Sequence, residues 1–236
     1  MAASAPPLIP VPLAGLPKYL SQHPNTPMTQ LFEPYRKYET YVREAFAQNP
    51  HDGLLKDPYV NVLPLFTEDT QTVRIRARDL AKESMEEKSK YIMPLPKTVR
   101  RANDSPAVVQ ELKDFKRNFN VFSESSLVEL DWSNVVAAGS SVTNCLLPVP
   151  DEYNATKRGL REFYHERFSP ASDVDLFLYG LTEEEAIEKI KKIEVQVRDA
   201  LLTETTVVRT KHAITICKPL SPLTQPSPVV FAHTLV

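Results

Sequence analysis

The sequence predicts an α+β fold, with helices packed on a small mixed sheet. Three observations predict it. Apolar residues recur at three- and four-residue spacing in stretches that end in helix stop signals. Compact runs rich in Val, Ile and Leu sit between turn residues. The 236 residues, 42% hydrophobic and 25% charged, have the make-up of a globular chain that can bury a core.

Residues 1–27, rich in Pro and Ala without periodicity, read as a disordered or extended tail. From Met28 to Gln48 the positions Leu31, Tyr35, Tyr38, Val42, Ala45 and Phe46 recur at helical spacing, and Asn49-Pro50 ends the helix. Pro64 makes the apolar stretch from Tyr59 to Phe66 an edge strand or extended loop. The Lys- and Glu-rich segment from Val73 to Met93 reads as a charged helix stopped by Met93-Pro94-Leu95-Pro96. Ser105-Pro106 has the form of a helix start, a hydroxyl N-cap followed by proline. Val108, Leu112, Phe115, Phe119 and Phe122 then form a stripe read as core. Residues 28–129 are thus a mostly helical N-terminal region.

Residues 130–217 are expected to form the core unit. Asn134 to Ala138 reads as a buried strand, Pro148 to Pro170 as a loop, and Asp173 to Tyr179 as a second strand. Thr182-Glu183-Glu184-Glu185 is a capping box opening a helix whose stripe is Ala186, Ile190, Ile193, Val197 and Leu201. Thr205–Arg209 and Ala213–Cys217 are β-prone, a hairpin or successive strands. From Lys218 the texture turns to Pro and Ser, so residues 218–236 read as a separate tail. No repeat of solenoid period is visible.

The net charge of −2 gives no general attraction to nucleic acid or anionic membrane. Cys145 and Cys217, both in apolar runs, read as reduced structural thiols, which favours an intracellular, cytoplasmic or nuclear setting. No apolar stretch approaches the ~20 residues of a bilayer span. The Pro6–Leu16 stretch, broken by prolines and lacking a basic flank, does not read as a signal peptide.

One constellation carries chemistry. On a strand, Asp173 and Asp175 project from one face about 7 Å apart, with Val174, Leu176 and Leu178 on the other. Two such carboxylates suit Mg²⁺, which takes one or two carboxylates plus substrate phosphates. Gly139-Ser140, closing the preceding strand, offers backbone N–H groups and a hydroxyl to those phosphates. Other candidates read as structural: His165 as a residue packed among aromatics, His212 as a turn residue, and Lys157, Arg158, Arg161 and Arg167 as a solvated basic stretch.

Gly139-Ser140 followed by Asp173-Val174-Asp175 resembles the signature of the polymerase-beta-like nucleotidyltransferase superfamily. The run from Leu130 to Ser140 through Leu146-Leu147-Pro148-Val149-Pro150, with Tyr164-His165-Glu166 and Ser169 to Leu181, is similar to the nucleotidyltransferase-like region of fungal ankyrin-repeat proteins. The likeness covers roughly residues 58–217. It implies that Gly139 and Ser140 bind nucleotide phosphates, and that Asp173 and Asp175 are catalytic and bind Mg²⁺. It also implies a nucleoside triphosphate and an RNA or protein acceptor as partners.

The chain departs from that pattern in three ways. Ser140 and Asp173 lie 33 positions apart, farther than the superfamily usually places them. Neither β-prone segment after the capped helix contains Asp or Glu for a third carboxylate, and Glu204 is the nearest candidate. The segment from Lys218 to Val236 stands where relatives continue into more of the domain and the repeats, so the core is expected to be incomplete and C-terminally truncated. Two functions follow from the resemblance. One is an Mg²⁺-dependent, nucleotide-binding nucleotidyltransferase-like domain, active or degenerate. The other is a non-catalytic interaction module, a pseudo-enzyme of an ankyrin-repeat protein family.

Overall fold

The computed structural model describes residues 5–90, 100–170, 172–202, 204–211, 213–217 and 230–234. The fold is α+β, and the chain divides into two compact units, Met1–Gln110 and Glu111–Val236. The division falls before the aromatic stripe, not at residue 129, because the helix carrying that stripe packs into the core of the second unit. The expected stop at Met93 to Pro96 and the expected turn at His212 lie outside the described residues.

In the first unit, helices α1 (Leu16–Gln22) and α2 (Met28–Gln48) follow a 3-10 turn at Leu13–Gly15. The N-terminal stretch expected to be disordered or extended is therefore partly helical, and the cause is long-range. The Tyr35 hydroxyl donates to the Val11 carbonyl at 3.0 Å. The Arg76 guanidinium donates to the carbonyls of Leu20, His23 and Thr26 at and beyond the end of α1.

The charged helix expected from Val73 is reduced to α3 (Met85–Ser89). Instead, Ile75 exchanges backbone hydrogen bonds with Asp104 and Ser105, and the Ala107 N–H donates to Val73. Arg74 and Pro106 form the bridge between these segments. A partner some thirty residues away decides against the helix that composition favours. Ser105-Pro106 is part of this ladder, so it starts no helix.

The second unit begins with α4 (Leu112–Phe122), followed by β1 (Val135–Ala138) and α5 (Ser140–Leu146). The expected loop at 148–170 instead holds α6 (Asp151–Asn154), α7 (Lys157–Glu162) and a π-helical turn at Phe163–Phe168. Local capping explains part of this: the Thr156 hydroxyl accepts from the Gly159 N–H at 3.0 Å. Leu160 and Tyr164, one turn apart, are both fully buried. Then come β2 (Val174–Leu178), α8 (Glu183–Leu201), β3 (Thr206–Arg209), β4 (Ala213–Cys217) and β5 (Val230–Thr234).

The five strands form one mixed sheet in the order β1-β2-β5-β4-β3. β5 runs parallel to β2, and the other pairings are antiparallel. β3 and β4 form a hairpin, one of the two arrangements expected, but the tail expected at 218–236 supplies the central strand. One sheet face presents Val135, Val174, Leu176, Leu178 and Ile216 to the core. Ala186, Ile190, Ile193 and Val197 of α8 join that cluster, as do Phe122 of α4 and Tyr164. The helix stripe read from sequence is therefore the buried one. Among the described residues, no helix is long and apolar enough to cross a membrane.

Two polar devices fix the ends of these elements. The Thr182 hydroxyl accepts from the Glu185 N–H, and the Glu185 carboxylate accepts from the Thr182 N–H, so both halves of the capping box form. Lys189 of α8 donates to the backbone and carboxylate oxygens of Asp131, at 2.7 and 2.8 Å. This ammonium, with the Ser133 N–H, holds the Asp131 carboxyl well below the usual carboxylate range.

Ile193→Ala is expected to cost about 2–5 kcal/mol and Thr182→Ala about 1 kcal/mol, both read from urea midpoints. Because the folded Asp131 pKa is depressed, its contribution is complete above the ordinary carboxylate range and is lost as pH falls through and below it. The midpoint gap between wild type and Asp131→Asn is therefore expected at neutral pH and should close in strong acid.

Candidate functional site

The site begins where β1 ends. Antiparallel pairing places Ala138 opposite Asp175, so the next residue, Gly139, turns over the Asp175 side chain. Gly139 adopts φ 79°, ψ −156°, a region essentially reserved for glycine. A Cβ added there would lie 2.5 Å from Asp175 Oδ2. Gly139 is thus required twice, by its backbone conformation and by the carboxylate in the space a side chain would fill.

The structure brings three of the four sequence-predicted site residues to one corner. Gly139 is the N-cap of α5, Ser140 is its first residue, and both are exposed. Asp175 lies within β2 and is half-buried. Asp173 falls just before the first residue of β2 and is also half-buried. Burial alternates from Asp173 through Leu178, with Val174, Leu176 and Leu178 nearly or fully enclosed. The alternation expected of the two aspartates is therefore present. The face carrying Asp175 and Phe177 is the one on which Val136 stands 48% exposed, opposite the core.

The 33-position separation is absorbed by the helical segment 151–168, whose end is tied back beside the corner. The Asn144 amide of α5 donates to the Ser169 hydroxyl at 2.8 Å, and the Ser172 N–H donates to the Ser169 carbonyl. Sequence reasoning missed Asn144 and Ser169, and no motif marks them. On the buried side, the Ser141 hydroxyl donates to the Ala138 carbonyl, and the Asn118 amide donates to the Cys145 carbonyl at 3.2 Å. Helix α5 is thereby fixed at both ends.

Three of the remaining candidates have partners within the fold. His165 packs on the Phe122 ring, with Nε2 3.2 Å from the Val121 carbonyl. Arg161 pairs with Glu124, and Arg167 with Glu162. Burial pushes the Cys145 thiol up to about 12 and raises the neighbouring Tyr164 hydroxyl well above its ordinary value. Cys145 therefore stays protonated and is no nucleophile.

Among the described residues, no third acid joins Asp173 and Asp175. β5, which lies beside β2, has the sequence VFAHT, without Asp or Glu. Glu204 precedes β3, separated from β2 by β4 and β5. Among the described residues, no group of three His, Cys, Asp or Glu is placed to hold a metal ion. What the corner offers is the half-buried Asp175 carboxylate beside an exposed turn, with half-buried Asp173 two residues earlier in the same alternation, oxygen donors suited to a cation that brings other oxygen ligands. Compared with protein-family models, curated proteins and solved structures, the chain matches none.

Gly139→Ala is expected to destabilise the second unit by about 1–3 kcal/mol and to displace the Asp175 carboxylate. Gly53→Ala, where an added Cβ meets nothing within 4 Å, is expected to be neutral or slightly stabilising. Urea denaturation of both variants checks the pair.

Proposed function

We propose that the second unit is a nucleotidyltransferase-like domain that binds a nucleoside triphosphate with Mg²⁺. The observation that carries this reading is the approach of Gly139 to the Asp175 carboxylate. It puts an exposed Gly-Ser turn against a carboxylate oxygen in one corner. Gly139 and Ser140 take the triphosphate tail through backbone N–H groups and the Ser140 hydroxyl. Asp173 and Asp175 would hold the magnesium ion, which would supply neutralisation of the phosphate charge when bound. Val174, Leu176 and Leu178, locked in the core, keep the carboxylates from drifting.

A second reading is favoured by the absence of an acid from β5. β5 brings no carboxylate to stand as the third acid of a two-metal transfer site. The domain then binds nucleotide without transferring it and serves as an interaction module, with a protein or RNA as its partner.

Calorimetric titration with ATP, CTP, GTP and UTP in Mg²⁺ tests the binding. At least one triphosphate is expected to bind, with affinity falling tenfold or more in Asp173→Asn and Asp175→Asn and on chelation of the cation. Equal affinity in wild type and both variants would overturn the metal assignment. Incubation of the full chain with labelled triphosphates and RNA or protein acceptors separates the two readings: label on the acceptor supports transfer, and binding without label supports the module.

A further inference from the structure

A groove of about 620 Å³ lies between α4, β1 and α5. It sits on the core side of the sheet, where Ala137 stands opposite buried Leu176, and it shares no residue with the Gly139 corner. One wall is aromatic. Phe115 and Phe119 stack with centroids 5.8 Å apart at 24°, and Trp132 meets Phe119 at 6.2 Å and 57°. Ala137 and Val142 line the other side. Trp132 is 41% exposed and Val128 59% exposed, so the lip is open to solvent. Lys116 and Asn120 bring polar groups to this lining. They stand four positions apart on α4, on one strip of its surface. The cations on either side of Lys116 in sequence have partners: Lys113 pairs with Glu111, and Arg117 bonds to Asn154. Lys116 is exposed and, among the described residues, has no ion pair. The Asn120 Oδ1 atom is buried without a hydrogen-bond partner, which is rare in folded proteins and calls for a reason.

We propose that this groove binds a small aromatic acid whose ring system carries an N–H or O–H donor. The site is separate from the corner and stands whether or not the corner takes phosphates. A volume of several hundred cubic ångströms, a largely apolar lining and a few convergent polar groups describe a small-molecule pocket. The rings of the ligand pack on Phe115, Phe119 and Trp132, which offer faces and edges in two planes. Its carboxylate meets Lys116 at the lip, where both charges keep part of their water. Its donor gives Asn120 the hydrogen bond that the fold leaves unmade. A plain hydrocarbon would leave both groups unmatched, and a cationic ligand would be repelled by Lys116.

Calorimetric titration of the full chain with three probes tests this: indoleacetate, naphthylacetate, which lacks the ring N–H, and tryptamine, which carries a cation in place of the acid. Indoleacetate is expected to bind, naphthylacetate at least fivefold more weakly and tryptamine at least tenfold more weakly. Val142→Phe, which fills the groove, should weaken all three, with cooperative unfolding as the control for folding. Lys116→Glu should weaken indoleacetate tenfold or more and strengthen tryptamine, a gain that misfolding does not produce. Asn120→Leu should bring indoleacetate down to the affinity of naphthylacetate. Absence of heat with every probe at millimolar concentration would overturn the site and leave this face to a protein partner. Affinities unchanged in Lys116→Glu, or a preference for indoleacetate over naphthylacetate that survives Asn120→Leu, would overturn the ligand class.

Discussion

The second unit is organised by the register of one strand pair. Ala138 opposite Asp175 fixes both which side chains enter the core and where the chain turns after β1. Because strand side chains alternate, a slip of one residue would carry Leu176 and Leu178 out of the core and the carboxylate into it. An unpaired buried carboxylate is costly, so hydrophobic burial and the placement of Asp175 enforce the same register. Gly139 is the consequence: at the end of that pairing, the carboxylate leaves no room for a side chain.

The helical segment between α5 and β2 is part of the scaffold. Tyr164 is fully buried against Phe122, Arg117 of α4 bonds to Asn154, and Ser169 returns the chain to Asn144. The segment departs from the core and comes back to it within reach of the corner it separates in sequence. A long insertion costs little entropy when its ends are already held close.

Much of the fold was legible because its signals are local. The stripe from Met28 to Gln48, the Thr182 capping box with Ala186, Ile190, Ile193 and Val197, and the hairpin strands all report on neighbours within a few residues. Elements decided by distant partners were misread. Val73 and Ile75 sit in a charged segment that suits a helix, yet they pair with residues near Ser105. The tail expected to be disordered at the N-terminus is held by Tyr35 and Arg76. β5 pairs in parallel with a strand more than fifty residues earlier, and a short segment after a Pro- and Ser-rich stretch carries no local mark of that partnership.

By itself, the sequence determined the α+β class, the amphipathic helices and the residue types able to hold phosphate and a divalent cation. These follow from periodicity and side-chain chemistry, which are properties of the chain alone. Tertiary structure decided that Gly139 and Asp175 share a corner, that Asp173 continues the same alternation, and that no acid stands beside them on β5. Proximity across 33 positions is set by strand register and core packing, and neither is written in any single stretch of residues.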